Sequence, residues 1–117
     1  MTALYLGGFG EDKTALARRY HGPDAPLLED LHLAVRAELE RGRDPMDLLP
    51  GLTGKIVTCD EVGCGVVPLD RADRDWREAV GRLCTALARQ ADLVVLVTCG
   101  LPQVLKGSLP EERRSFL

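Results

Sequence analysis

Ile56-Val57-Thr58-Cys59-Asp60-Glu61-Val62-Gly63-Cys64-Gly65-Val66-Val67-Pro68 is the stretch that decides the fold. Its opening β-branched run favours a strand, which ends in two carboxylates and a turn rich in glycine. In an α/β protein such a turn lies at the carboxyl end of a strand, where ligands bind. Glycine would let the backbone approach a ligand, whereas a plain tight turn is the alternative interpretation. The candidate binding residues here are Asp60, Glu61, Gly63 and Gly65.

Apolar runs alternate with helical patterns on both sides of this segment. Leu93–Thr98 is apolar on both faces, as a buried parallel strand should be. From about Asp70 to Ala91, apolar residues recur at spacings of four, three and four, which predicts a long helix. The remaining predicted elements are the strands Ala3–Leu6, Pro26–Glu29 and Lys55–Cys59 and the helices Lys13–Tyr20 and Leu31–Arg41.

This alternation predicts a three-layer α/β fold, with about four mainly parallel strands and helices on both faces. Residues 1–106 would form a single domain, and residues 107–117 a polar C-terminal tail. The chain of 117 residues can bury one modest core.

A net charge of −3 argues against a general nucleic-acid surface. No apolar run approaches the roughly 20 residues of a membrane span, and no signal peptide is visible, so we expect a cytoplasmic protein with reduced cysteines.

The first predicted strand leads into Gly7-Gly8-Phe9-Gly10-Glu11-Asp12-Lys13-Thr14. A phosphate-binding loop reads G-x-x-x-x-G-K-[ST]: its backbone N–H groups cradle phosphate, its lysine neutralises charge and its hydroxyl binds Mg²⁺. Lys13 is therefore a candidate catalytic residue and Thr14 a candidate metal ligand. The candidate nucleotide-binding residues are Gly7, Gly8, Gly10, Lys13 and Thr14.

Two acidic residues depart from that pattern, with Asp12 in the place of the second glycine. One interpretation is that Glu11 and Asp12 repel a polyphosphate, so that the loop no longer binds ATP tightly. In that case the two residues would simply favour a helix N-terminus through its dipole. The other interpretation is that nucleotide binding is retained.

Glu29 and Asp30 leave the second predicted strand beside this loop. Glu29 could hold a metal-bound water as a catalytic, metal-binding carboxylate. The alternative is that the pair caps the next helix or lies in a solvated turn. His21 and His32 have no partner in motif spacing and are predicted to be surface or boundary histidines.

Three cysteines, Cys59, Cys64 and Cys99, fall at or just beyond strand ends. No pair has C-x-x-C spacing, so small buried apolar residues are one interpretation and a zinc or corrinoid-cobalt site is the other.

Several of these motifs resemble the adenosylcobinamide kinase/adenosylcobinamide-phosphate guanylyltransferase family. There the strand is followed by N-E-V-G-x-G-[IV]-V-P, and Asp60 replaces the Asn. The family's loop reads G-G-x-R-S-G-K-S, and its next strand ends in D-C-L-T-L-W, with Glu29 at the Asp that lies near Mg²⁺. The resemblance covers residues 3–20 and 26–106.

The resemblance implies a P-loop NTPase-like (RecA-like) fold and a role in cobalamin biosynthesis. It implies a kinase that uses ATP or GTP with Mg²⁺ to phosphorylate a corrinoid aminopropanol hydroxyl, and a homo-oligomer. Between Tyr20 and Pro26 the family has a long stretch with a guanylylated histidine, which this chain lacks, so guanylyl transfer is not expected. The alternative is a non-catalytic relative that binds a corrinoid, a nucleotide or a partner subunit, because Asp12 and the missing segment favour reduced or lost activity.

Overall fold

The computed structural model describes residues 1–62 and 70–111, so the predicted binding residues Gly63 and Gly65 lie outside the described residues. Within those ranges one sheet holds five strands: β1 (Ala3–Gly7), β2 (Leu27–Leu28), β3 (Ile56–Asp60), β4 (Leu93–Thr98) and β5 (Leu101–Lys106). Three α-helices accompany it: α1 (Lys13–His21), α2 (Leu31–Glu40) and α3 (Arg71–Gln90). A 3₁₀ helix, Pro45–Leu52, occupies the connection before β3.

The strand order is β2-β3-β1-β4-β5, with β1 at the centre. The first four strands run parallel, and β5 pairs antiparallel with β4. Gly7, the last residue of β1, is paired with Asp60 on one side and Val97 on the other. The carboxyl ends of β1, β3 and β4 therefore meet at one edge of the sheet.

Helices cover both faces of this sheet, because alternate strand residues point to opposite sides. On one face, α2 and α3 bury Leu4 and Val57 beneath Val35 and Leu83. On the other face, α1 packs on the sheet residues Ala3, Tyr5 and Val95 through its own Leu16 and Ala17. The three-layer α/β architecture predicted from the sequence is confirmed, with a mostly parallel sheet.

The fifth strand was not predicted. A turn at Cys99 and Gly100, both with positive φ, reverses the chain after β4 and starts β5. β5 is mostly exposed and contains Pro102, which is tolerated because the strand lies at the sheet edge. Beyond it, Leu109 packs against the core on the α1 face, so the packed chain continues past residue 106.

Among the described residues, the structure contains no helix that is both long and apolar enough to cross a membrane.

Candidate functional site

The loop between β1 and α1 holds its lysine against the sheet edge. Lys13 is the first residue of α1, and Asp12 caps that helix by accepting a hydrogen bond from the Ala15 N–H at 3.0 Å. The Lys13 ammonium donates to the carbonyls of Gly8 and Glu11 at 3.2 and 3.3 Å. Its side chain is only 6% exposed, so its charge requires nearby acceptors.

The third acceptor is the carboxylate of Asp60, whose Oδ1 lies 2.8 Å from Lys13 Nζ. A lysine ammonium has three N–H donors, and here all of them have acceptors. Asp60 is 17% exposed, so this is a largely buried ion pair between the α1 lysine and the end of β3. A phosphate that engaged Lys13 would have to displace one of these three oxygens.

His32 holds Asp60 from the other side. The Asp60 backbone N–H donates to His32 Nδ1 at 3.0 Å, and Nε2 lies 3.4 Å from Asp60 Oδ2. Since Nδ1 accepts, the ring proton of neutral His32 is on Nε2, where it faces the carboxylate. The prediction of a surface or boundary histidine is wrong for His32, which is buried in the first turn of α2.

Trp76 of α3 fixes this turn of α2. Its indole Nε1 donates to the His32 carbonyl at 2.8 Å. The guanidinium of Arg36 lies 4.2 Å from the centre of the indole ring and pairs with Asp73 at 2.8 Å. This stacking and ion pair hold α2 and α3 together behind His32.

The two acidic loop residues have structural partners. Asp12 serves as the helix cap described above, in agreement with the helix-terminus interpretation. Glu11 accepts the backbone N–H groups of Cys99 and Gly100, at 3.1 and 3.2 Å, and so stabilises the turn before β5. The carboxylate that contacts the Lys13 ammonium is therefore that of Asp60.

These residues border a cleft of about 470 Å³. Three carboxylates and one ammonium line it, together with several apolar side chains, of which Phe9 and Leu33 are largely solvent-exposed. The cleft can therefore accept a ligand with a broad apolar surface, provided that a cation offsets the carboxylates. The lining residues are Phe9, Gly10, Glu11, Lys13, Asp30, His32, Leu33, Asp60, Val62 and Trp76.

Asp30, His32 and Asp60 bring potential metal-ligating atoms within 4.8 Å of one another. His32 fits poorly as a ligand, since its Nδ1 lone pair accepts the Asp60 N–H and its Nε2 carries the proton. Asp30 has a left-handed backbone (φ 58°), and its side chain makes no capping hydrogen bond. The carboxylate oxygens of Asp30 and Asp60 are thus the groups here that suit Mg²⁺, which prefers oxygen ligands and keeps several waters.

Most of the binding residues predicted from the sequence, where the structure describes them, lie at the carboxyl edge of the sheet. Lys13, Asp60 and Gly10 line the cleft, Gly8 binds Lys13, and Glu61 N–H donates to the Gly7 carbonyl at 2.9 Å. Thr14, in the first turn of α1, and the exposed Glu29 are not among the cleft's lining residues.

Sequence reasoning missed Asp30, His32 and Trp76 as cleft residues. For Asp30 the available signal was its place in the acidic pair directly after β2, at the carboxyl edge of a parallel sheet.

Comparison with known proteins identifies relatives of this chain. The family model described as cobinamide kinase / cobinamide phosphate guanyltransferase matches residues 14–105. The Pseudomonas aeruginosa protein named bifunctional adenosylcobalamin biosynthesis protein CobP is 36% identical over 63 residues, which are 53% of this chain and 36% of that protein. The match thus spans about a third of that relative's length. The loop residues 7–13 lie outside the matched range, so their interpretation depends on the geometry described above.

Proposed function

Because the chain belongs to the cobinamide kinase / cobinamide phosphate guanyltransferase family, we propose that it is a nucleotide-dependent kinase of a cobinamide-type corrinoid in cobalamin biosynthesis. The observation that carries the proposal is the position of Lys13. It begins a helix after a glycine-rich loop, at the carboxyl edge of a parallel sheet, and its ammonium reaches a cleft. Phosphoryl transfer depends mainly on positioning and charge neutralisation, which such a lysine supplies.

On nucleotide binding, Lys13 would exchange the Asp60 carboxylate for phosphate oxygens. The carboxylates of Asp30 and Asp60 would hold the Mg²⁺ that accompanies the nucleotide, and this cation would offset their charge. Assignment of Thr14 and Glu29 to the metal, and of Glu29 to catalysis, stays a prediction.

The corrinoid would occupy the outer part of the same cleft. A corrinoid is a broad macrocycle around a cobalt cation, and the cleft offers apolar surface from Phe9, Leu33 and Trp76 beside carboxylates. This combination supports a large, partly apolar ligand that carries positive charge.

We propose that guanylyl transfer is absent. The sequence has two histidines, and both have structural partners. His21, at the end of α1 remote from Lys13, lies 2.8 Å from the Tyr5 hydroxyl through Nε2. His32 directs both ring nitrogens at Asp60. His32 therefore offers no free ring nitrogen for a covalent nucleotide intermediate, and His21 lies at the opposite end of α1 from Lys13.

A non-catalytic, corrinoid-binding relative is the second candidate function. Two observations favour it. The Lys13 ammonium already has acceptors for its N–H donors and is neutralised by Asp60, and carboxylates outnumber the ammonium in the cleft. Such a protein would bind the corrinoid and leave polyphosphates in solution.

Calorimetric titration of the full chain with Mg-ATP, Mg-GTP and adenosylcobinamide separates these functions. For the kinase we expect both a nucleotide and the corrinoid to bind, and mass spectrometry to detect phosphorylated corrinoid after incubation. Corrinoid binding without nucleotide binding would establish the second candidate. If neither ligand binds, both are wrong.

We also propose that the protein self-associates through β5. Its outer edge has no neighbouring strand among the described residues, and Leu101 and Leu105 are 69% and 55% exposed. An open strand edge with apolar side chains favours pairing with another chain. Light scattering at tens of micromolar is expected to show a dimer or larger species, and Leu105→Lys to weaken it. A monomer at that concentration contradicts this prediction.

A further inference from the structure

Two thiols are in contact directly behind the cleft. Cys59 lies on β3 and Cys84 on α3, and their sulfurs are 3.7 Å apart. Cys59 is fully buried, whereas Cys84 packs against the core but is only partly buried, so Cys84 is the residue of the pair with some solvent exposure. Of the three cysteines at strand ends, Cys59 is buried, Cys64 lies outside the described residues, and the prediction of a small buried residue is wrong for Cys99, which is exposed in the turn before β5.

The buried thiol is also in contact with the site. Cys59 Sγ donates to the carbonyl of Asp60 at 3.4 Å, and the backbone of His32 hydrogen-bonds the same sulfur. Asp60 is the partner of Lys13, and His32 holds Asp60. A change at this sulfur therefore acts on the backbone of two cleft residues.

The two thiols differ in acidity. The hydrogen bond with Cys59 lowers the pKa of Cys84, against the opposing effect of burial. The hydrogen bond with Cys84, followed by burial, raises the pKa of Cys59. Cys84 is thus the less buried residue of the pair, and its lowered pKa favours the thiolate, which is the attacking species in disulfide exchange.

We propose that Cys59 and Cys84 are a reversible oxidation site, which forms a disulfide by exchange with a low-molecular-weight disulfide. The Cys84 thiolate attacks one sulfur of the reagent and releases the other half as a thiolate. Cys59 then attacks the Cys84 sulfur of this mixed disulfide, and the second small thiolate leaves with the Cys59 proton. The two protein thiols are oxidised by two electrons, and the reagent is reduced to two thiols.

Bond formation must bring the sulfurs from 3.7 Å to about 2 Å. This movement draws Cys59 towards α3 and weakens its contacts with the backbones of Asp60 and His32. Trp76, the chain's single tryptophan, lies on the same helix as Cys84 and donates to the His32 carbonyl. Its fluorescence therefore reports the change at the site.

The test uses a Cys64→Ser, Cys99→Ser variant, in which Cys59 and Cys84 are the remaining cysteines. Oxidised glutathione is expected to remove both free thiols, to give a Cys59–Cys84 peptide on mapping, and to shift Trp76 fluorescence reversibly on reduction. Adding Cys84→Ser is expected to prevent the internal disulfide and the reversible shift. The same mapping on the unmodified protein covers the case in which the double variant does not fold.

Persisting thiols, a stable glutathione adduct or an intermolecular disulfide in place of the internal bond would overturn the proposal. A Cys59–Cys84 bond that left Trp76 fluorescence unchanged would overturn its coupling to the cleft. Peptide mapping and Trp76 fluorescence do not depend on kinase activity, so they test the oxidation site separately from the proposed function.

Discussion

Asp60→Asn is expected to bind ATP or GTP, titrated without Mg²⁺, roughly ten- to hundredfold more tightly than the unmodified protein, a gain of about 1.4 to 2.8 kcal/mol. The Asp60 carboxylate holds the Lys13 ammonium at 2.8 Å, so an incoming phosphate must both displace it and approach its negative charge. A negative unit charge about 5 Å from a phosphate charge raises the free energy of the bound nucleotide by roughly 3 kcal/mol at an effective dielectric near 20. An amide keeps the shape and an acceptor oxygen but removes that charge. Isothermal calorimetry measures the change in affinity.

Glu78→Gln is the matched control for this substitution. It removes the same charge from the exposed face of α3, where Glu78 pairs with Arg82. An equal gain from Glu78→Gln would mean that net charge, and not the Asp60 contact, limits nucleotide binding. The double change Glu11→Ser, Asp12→Gly is the second comparison, because both side chains already accept backbone N–H groups. A larger gain from that pair than from Asp60→Asn would contradict the role assigned to Asp60.

The central elements could be predicted from the sequence because their patterns are local. Leu93–Val97 is apolar throughout, and α3 repeats its apolar residues along one face, so each is recognisable without knowledge of its neighbours. The loop before α1 was recognisable for the same reason, since its residues are contiguous. These elements alone imply which sheet edge carries the site.

The rest of the site depends on contacts between distant residues. Asp30 and His32 meet Asp60 because β2 pairs with β3, Leu28 opposite Val57, and nothing in residues 29–32 specifies that register. Glu11 binds a turn that is 88 residues away in sequence. β5 was missed because an exposed strand with a proline has little apolar periodicity and is defined by its pairing with β4.

The buried ion pair between Lys13 and Asp60 predicts a large effect on stability. Lys13→Met keeps the length of the side chain but leaves the Asp60 carboxylate, 17% exposed, without its cation. Loss of one partner of a buried ion pair costs about 3–5 kcal/mol of stability. Because this pair is incompletely buried, we expect Lys13→Met to lower the free energy of unfolding by roughly 2–4 kcal/mol. Urea denaturation measures the loss. For a domain whose total stability is about 5–15 kcal/mol, this is a substantial fraction.

A double-mutant cycle tests whether the loss comes from the pair itself. In Lys13→Met, Asp60→Asn no unpaired carboxylate remains, so we expect the double variant to be more stable than Lys13→Met by at least about 1 kcal/mol. Lys106→Met is the control, since that exposed lysine donates to the Ala88 and Arg89 carbonyls, and its loss should cost less than about 1 kcal/mol. Strictly additive effects of Lys13→Met and Asp60→Asn would show that the two groups do not interact energetically. The same cycle followed by nucleotide titration separates the two roles of the lysine: the double variant recovers stability but, without the ammonium, does not recover phosphate binding.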